Sequence, residues 1–185
     1  MNQTIAPIEE LVRIPAPCPR PLGLACDGTD LWIGSVETCR LYGLNAQRGN
    51  VFEEAKVPGK PFGITVTGDA LRVVVGDDAD DRWIRRYIMG KDFKSEKLAC
   101  PNHTGSFIAY DGDRLYVSQR DNQVIVELDE TGTVLRTIPV PRQITGMVIV
   151  GGRFYLVTTE SREVDDFRLL CLDARKEQPA SRSRS

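Results

Sequence analysis

Four carboxylates stand at one recurring position of this 185-residue chain: Glu37, Asp77, Asp121 and Glu160. Each lies six residues after a large apolar residue, namely Leu31, Leu71, Leu115 and Phe154. A second set is basic or polar. Arg20, Lys60, Thr104 and Gln143 lie three residues before Gly23, Gly63, Phe107 and Gly146, with His103 and Arg142 one residue further back. Carboxylate oxygens gathered around an axis are hard ligands suited to a divalent cation such as Ca, Mg or Mn. Together with Arg20, Lys60, His103 and Arg142 they would orient a small polar molecule, and carboxylates held close together acquire shifted pKa values suited to acid–base work. The competing reading is that each acid pairs with a cation of its own or the next repeat, because charges in repeat proteins commonly serve the interface between repeats.

A repeat must position these residues. From His103 to Pro141, short apolar runs are separated by Asp111-Gly112, Asp121-Asn122 and Glu130-Thr131-Gly132. Asp-Gly between apolar runs is a strong hairpin signal, because the favoured two-residue turn needs positive φ at both central positions. The stretch therefore predicts a four-stranded antiparallel meander, the size of one β-propeller blade. The register Gly23, Gly63, Phe107 and Gly146 recurs at spacings of 40, 44 and 39 residues, with turn glycines at Gly28, Gly68, Gly112 and Gly151. The expected fold is all-β: a β-propeller of four four-stranded repeats, over about 20–58, 60–101, 103–141 and 142–174. It would form a small ring, an arc, or half of a larger ring.

The fourth repeat lacks a fourth strand in its own sequence. Ile8 to Pro17 resembles the outer strand at Val134 to Pro141, so residues 8–15 are expected to complete the last blade and cover its edge. Residues 1–175 form a single domain in this reading. Residues 176–185 carry no apolar side chain but alanine and are expected to be a disordered tail.

Bulk composition excludes some partners. A net charge of −2 gives no global field toward nucleic acid, and no apolar run approaches the length of a membrane span. The amino terminus lacks a basic segment followed by an apolar one, so no signal peptide is expected. The five cysteines are odd in number and contain no Cys-x-x-Cys pair, which favours free thiols in a reducing cytoplasm. Each is expected to be a small buried hydrophobe in a strand. His103 is the sole histidine, which leaves a His/Cys zinc site poorly supported. The run Asp77-Asp78-Ala79-Asp80-Asp81 lacks the spacing and glycine of a calcium loop and reads as a solvated acidic loop. Trp32, Trp83, Tyr42, Tyr110, Tyr116 and Tyr155 fall in predicted strands, where aromatics mostly pack blade on blade.

Residues Leu115–Ser118, Asn122, Val124–Asp129 and Gly132 resemble an NHL-type propeller repeat and, more loosely, YncE-type and SMP-30/gluconolactonase-type blades. The resemblance implies a propeller architecture. It departs from these families at Gln119, where NHL repeats tend to carry an acid, and it lacks the amino-terminal Glu-Gly-Pro of the gluconolactonase type. One histidine cannot supply the pair a virginiamycin B lyase-like site would need. The leading expectation is a non-catalytic binding or interaction module with a charged channel mouth, for a small polar molecule or a protein partner. The others are a cation-dependent small-molecule hydrolase or lyase of the SMP-30-like type and a half-propeller that assembles with a second copy. Whether the chain is an enzyme stays open at this level.

Overall fold

The computed structural model describes residues 15–78, 80–160 and 167–174. Among the described residues fifteen strands form four antiparallel meanders in chain order. The first blade comprises β1 (Pro21–Cys26), β2 (Asp30–Ser35), β3 (Arg40–Asn45) and β4 (Val51–Lys56). The second comprises β5 (Lys60–Thr67), β6 (Ala70–Gly76), β7 (Trp83–Ile88) and β8 (Phe93–Ala99). The third comprises β9 (Ile108–Tyr110), β10 (Leu115–Gln119), β11 (Val124–Leu128) and β12 (Val134–Pro139). The fourth comprises β13 (Gln143–Val150), β14 (Arg153–Thr159) and β15 (Arg168–Asp173). Among the described residues the helical content is one short 3-10 turn at Pro101–His103. The architecture is a four-bladed β-propeller. Most of the closing strand expected over residues 8–15, and the tail 176–185, lie outside the described residues.

Local chemistry explains the hairpins. In the first blade Asp27 accepts the amides of Thr29 and Asp30 on Oδ1, and the indole Nε1–H of Trp32 donates to Oδ2 at 3.1 Å. The third blade repeats this: Asp111 accepts the amides of Asp113 and Arg114, and the Tyr116 hydroxyl donates to Oδ2 at 3.0 Å. Each aspartate thus closes its turn and satisfies the polar end of a buried aromatic, which would otherwise lose a hydrogen bond on burial. The glycines that follow them, Gly28 and Gly112, both have φ of 102°.

The recurring glycine of the inner strands has a different cause. A Cβ on Gly23 would lie 2.7 Å from the Phe62 carbonyl oxygen, and one on Gly63 2.7 Å from that of Ser106. Neighbouring inner strands approach too closely there for a side chain. The β1–β2, β5–β6 and β13–β14 ladders each shift register around this position, between Leu22 and Leu24, Pro61 and Ile64, and Ile144 and Gly146. Such bulges bend a strand, here where it turns toward the axis.

Three core layers lie between successive blades. Trp32, Leu41, Val57, Ile64, Leu71, Val73, Val75 and Tyr87 join the first blade to the second. Val74, Ile84, Cys100, Ile108, Leu115, Val117, Val126 and Leu128 join the second to the third. Tyr116, Ile125, Ile144, Phe154 and Leu156 stand in the layer between the third and fourth. Strand β6 feeds two layers, and for this reason its apolar run does not alternate with polar residues apart from Arg72.

The fourth blade carries a second face outside these layers. Register places Val148 opposite Tyr155 opposite Cys171, and Val157 opposite Leu169. Val148, Val150, Val157 and Leu169 are exposed, Leu169 to 71%. The cysteine expectation holds for Cys18 and Cys100, which are buried, whereas Cys26 and Cys171 are exposed and Cys39 is half-buried. Cys26 and Cys171 point away from the layers because each sits on the alternate face of an end blade.

Candidate functional site

One device repeats at the entry to every blade. Cys18-Pro19, Val57-Pro58, Cys100-Pro101 and Val140-Pro141 occupy equivalent places, and the first residue of each pair is buried. In three blades its amide donates to the residue preceding the third strand: Val57 to Cys39, Cys100 to Arg82 and Val140 to Gln123. Proline cannot donate to a ladder, so it ends the outer strand there and turns the chain inward. The proline carbonyl is also engaged. Ser35 Oγ donates to Pro19 at 2.6 Å, and Gln119 Nε2 donates to Pro101 at 2.6 Å and to Thr104 at 3.2 Å. Gln119 is 2% exposed, and its Oε1 accepts from Asn122. At this position Gln119 closes a polar network that an acid could not donate into. Four apolar-Pro pairs at spacings of 39, 43 and 40 residues were the sequence signal for this device. Burial pushes the Cys100 thiol up to about 12, against the opposing charge of Arg82, which makes it a packing residue.

These loops set the eight candidate residues at one end of the blades. Arg20, Lys60 and Arg142 precede or open inner strands, His103 lies in the entry loop of blade three, and Glu37, Asp77, Asp121 and Glu160 follow second strands. Within that end the contacts are local. Arg142 Nη1 meets Glu160 Oε1 at 3.0 Å inside the fourth blade. Lys60 Nζ donates to the Asp77 backbone carbonyl at 3.1 Å inside the second. The His103 ring lies edge-on to Trp83 with centroids 5.7 Å apart. Arg20 and Glu37 are exposed in the first blade, and Asp121 is exposed in the third. Among the described residues no three His, Cys, Asp or Glu side chains gather in a way that could hold a metal ion.

The acidic loop closes on itself. Asp81 accepts the Asp77 amide on Oδ2 at 2.8 Å and the Asp78 amide on Oδ1 at 3.0 Å. The bond from Asp77, helped by that from Asp78 and opposed by partial burial, holds the Asp81 carboxyl below its ordinary value.

The other end of the blades is less charged. A cavity of about 330 Å³ lies on the axis, lined by Leu24–Cys26, Ile64–Val66, Ile108–Tyr110 and Met147–Ile149. All four inner strands contribute, through the residues nearest their hairpins, and most of the side chains are apolar.

Comparison with known proteins finds likeness to solved structures with propeller folds. No family model matches the chain, and no curated protein matches it in sequence. Glutaminyl cyclase from Myxococcus xanthus superposes with a TM-score of 0.62 at 15% identity, over 75% of this chain and 67% of that one. A catalytically inactive variant of virginiamycin B lyase from Staphylococcus aureus, solved with quinupristin, gives 0.59 at 18% identity over 78% and 51%. The computationally designed Ika4 protein gives 0.56 at 11% identity over 89% and 98%. The chain thus spans about half to two thirds of the two natural proteins. At such identities the likeness establishes the propeller fold and leaves activity to be argued from the site.

Proposed function

We propose that this chain is a non-catalytic interaction module whose partner is another set of propeller blades, supplied by a second copy. The bare face of the fourth blade carries this reading. Three layers of apolar side chains lie between successive blades, whereas Val148, Val150, Val157 and Leu169 stand exposed on one face of the fourth. Contiguous apolar surface of this kind marks an interaction site. The first blade's outward face carries the exposed Leu24 and Cys26, beside a small cluster of Cys18, Tyr42 and Leu44 that is already buried. Docking the fourth blade of one copy on the first blade of another, twice, gives a closed two-fold ring. The chain's span of about half of virginiamycin B lyase fits a half-ring.

In such a ring the charged end, with Arg20, Lys60, His103 and Arg142 beside Glu37, Asp77, Asp121 and Glu160, would line a shared mouth for a small polar ligand. A resemblance to NHL-, YncE- or SMP-30-type propellers is compatible with this role. Sedimentation equilibrium tests it. A mass twice the 20.6 kDa of one chain is expected at micromolar concentration, and a strict monomer would rule the assembly out. Because the natural neighbours include enzymes, melting with Ca, Mg, Mn or EDTA tests the cation-dependent hydrolase or lyase reading. A rise with one cation, reversed by EDTA, would favour that reading over the non-catalytic one.

A further inference from the structure

The second and third blades enclose a groove at their hairpin end, away from Lys60 and Asp77. Two adjoining cavities of about 350 and 250 Å³ share Arg72, Arg86 and Glu130 as walls. Arg72 interrupts the apolar run of β6, and register sets it directly opposite Arg86 on β7. The next pair along the same face is Val74 with Ile84, both in the core layer between these blades. Two guanidinium groups therefore extend a core row where apolar side chains would be expected. Like charges directly opposite on adjacent strands destabilise a sheet.

Protein carboxylates neutralise the pair only in part. Arg86 reaches Asp69 only through an exposed contact of 3.4 Å. Arg72 makes no ion pair among the described residues, and the Nε atoms of both arginines are buried without an acceptor. Burial first, and the Arg86 charge second, lower the Arg72 pKa, while Glu130 and Tyr110 act from a distance in the opposite sense. A half-buried guanidinium facing another, beside open space and without an ion pair of its own, has room for a further counter-charge.

We propose that this groove binds a phosphate-class oxyanion, free or as the head group of a small molecule, held between the Arg72 and Arg86 forks. Arginine's planar fork matches two oxygens of such a group, which a lysine ammonium cannot do. Lys94 on the groove wall adds to the field, and Glu96 and Glu130 limit it.

Titration calorimetry of the full chain with inorganic phosphate and with phenyl phosphate, at fixed ionic strength set by chloride, tests the proposal. Saturable binding is expected, tighter for whichever form the groove takes. Arg72→Gln should weaken it about tenfold or more, since a hydrogen bond to a charged group is worth on that order. Arg72→Lys should fall between, and Glu130→Gln should tighten binding. Arg85→Gln alters β7 on the face away from Arg86 and should leave affinity unchanged. In chloride alone, Arg72→Gln should melt at or above the wild-type temperature because a like-charge pair is relieved. No saturable binding to either probe, an equal loss in Arg85→Gln, or a lower melting temperature for Arg72→Gln in chloride would each overturn the proposal.

Discussion

Gln119 donates from Nε2 to the Pro101 carbonyl, and Ser35 makes the equivalent bond to Pro19 two repeats earlier, both at 2.6 Å. One side chain at the end of a second strand thus pins the loop by which the chain enters each of these blades. Replacing Gln119 with leucine would leave the Pro101 and Thr104 carbonyls and the Asn122 amide without this partner. A loss of about 1 kcal/mol is expected, because the Pro101 carbonyl keeps the Thr104 amide and Asn122 is exposed to water. Urea denaturation should show a lower midpoint at unchanged slope. A midpoint equal to wild type would mean that the entry loop is held by other contacts.

Gly63→Ala offers a test of how closely the inner strands pack. The added methyl would lie 2.8 Å from both the Phe107 Cα and the Ile108 nitrogen. Backbone must shift, and overpacking of this sort typically costs about 1–3 kcal/mol. The same change at Gly146 meets only Val157 side-chain atoms at 3.5 Å and should be much milder. Equal melting temperatures for the two variants would argue against the close approach.

Acid should weaken the hairpins in a particular way. Burial opposes ionisation of Asp27 and Asp111, but the turn amides and the Trp32 or Tyr116 donor outweigh it, so both carboxyls titrate below the ordinary value. The folded chain then binds fewer protons than the unfolded one. The resulting stability is fully present above the unfolded value of about 4 and is lost as pH falls through the lower folded values. Asp27→Asn with Asp111→Asn should melt below wild type at neutral pH, and the gap should close toward about pH 3. A gap of constant size across that window would contradict the assignment.

A charge on the bare face should separate copies without unfolding them. Leu169→Glu places a carboxylate on a side chain that is 71% exposed, so the monomer should lose no more than about 0.5 kcal/mol, as surface changes do. Sedimentation should then give the mass of one chain where wild type gives two. A variant that sediments as wild type would place the contact elsewhere.

The blades were legible in the sequence because their signals are local. Asp27-Gly28 and Asp111-Gly112 announce turns by their own chemistry, and Leu31, Leu71, Leu115 and Phe154 keep register with them. The recurring glycine was legible as a mark, but its cause was not, since the clash at Gly63 comes from Ser106, which leads into the inner strand of the next blade. Counting alone brings the eight charged residues to equivalent places in the repeats, whereas the Arg142–Glu160 contact and the bond from Lys60 to the Asp77 carbonyl depend on rotamers. Cys26 and Cys171 were misread as buried because exposure on an end blade depends on what covers that blade. The Arg72–Arg86 pairing escaped notice for a similar reason: it exists only once the β6–β7 register is known.

The core layers have a mechanical consequence. Among the described residues each one glues a single pair of neighbours, so cohesion is passed along a row in which the second and third blades are gripped from both sides and the outer two from one. Such a row loosens from its ends inward. Amide protons of β6 and β10 should be the last to exchange with deuterium and those of β15 among the first, and closing the row with a second copy would erase that gradient.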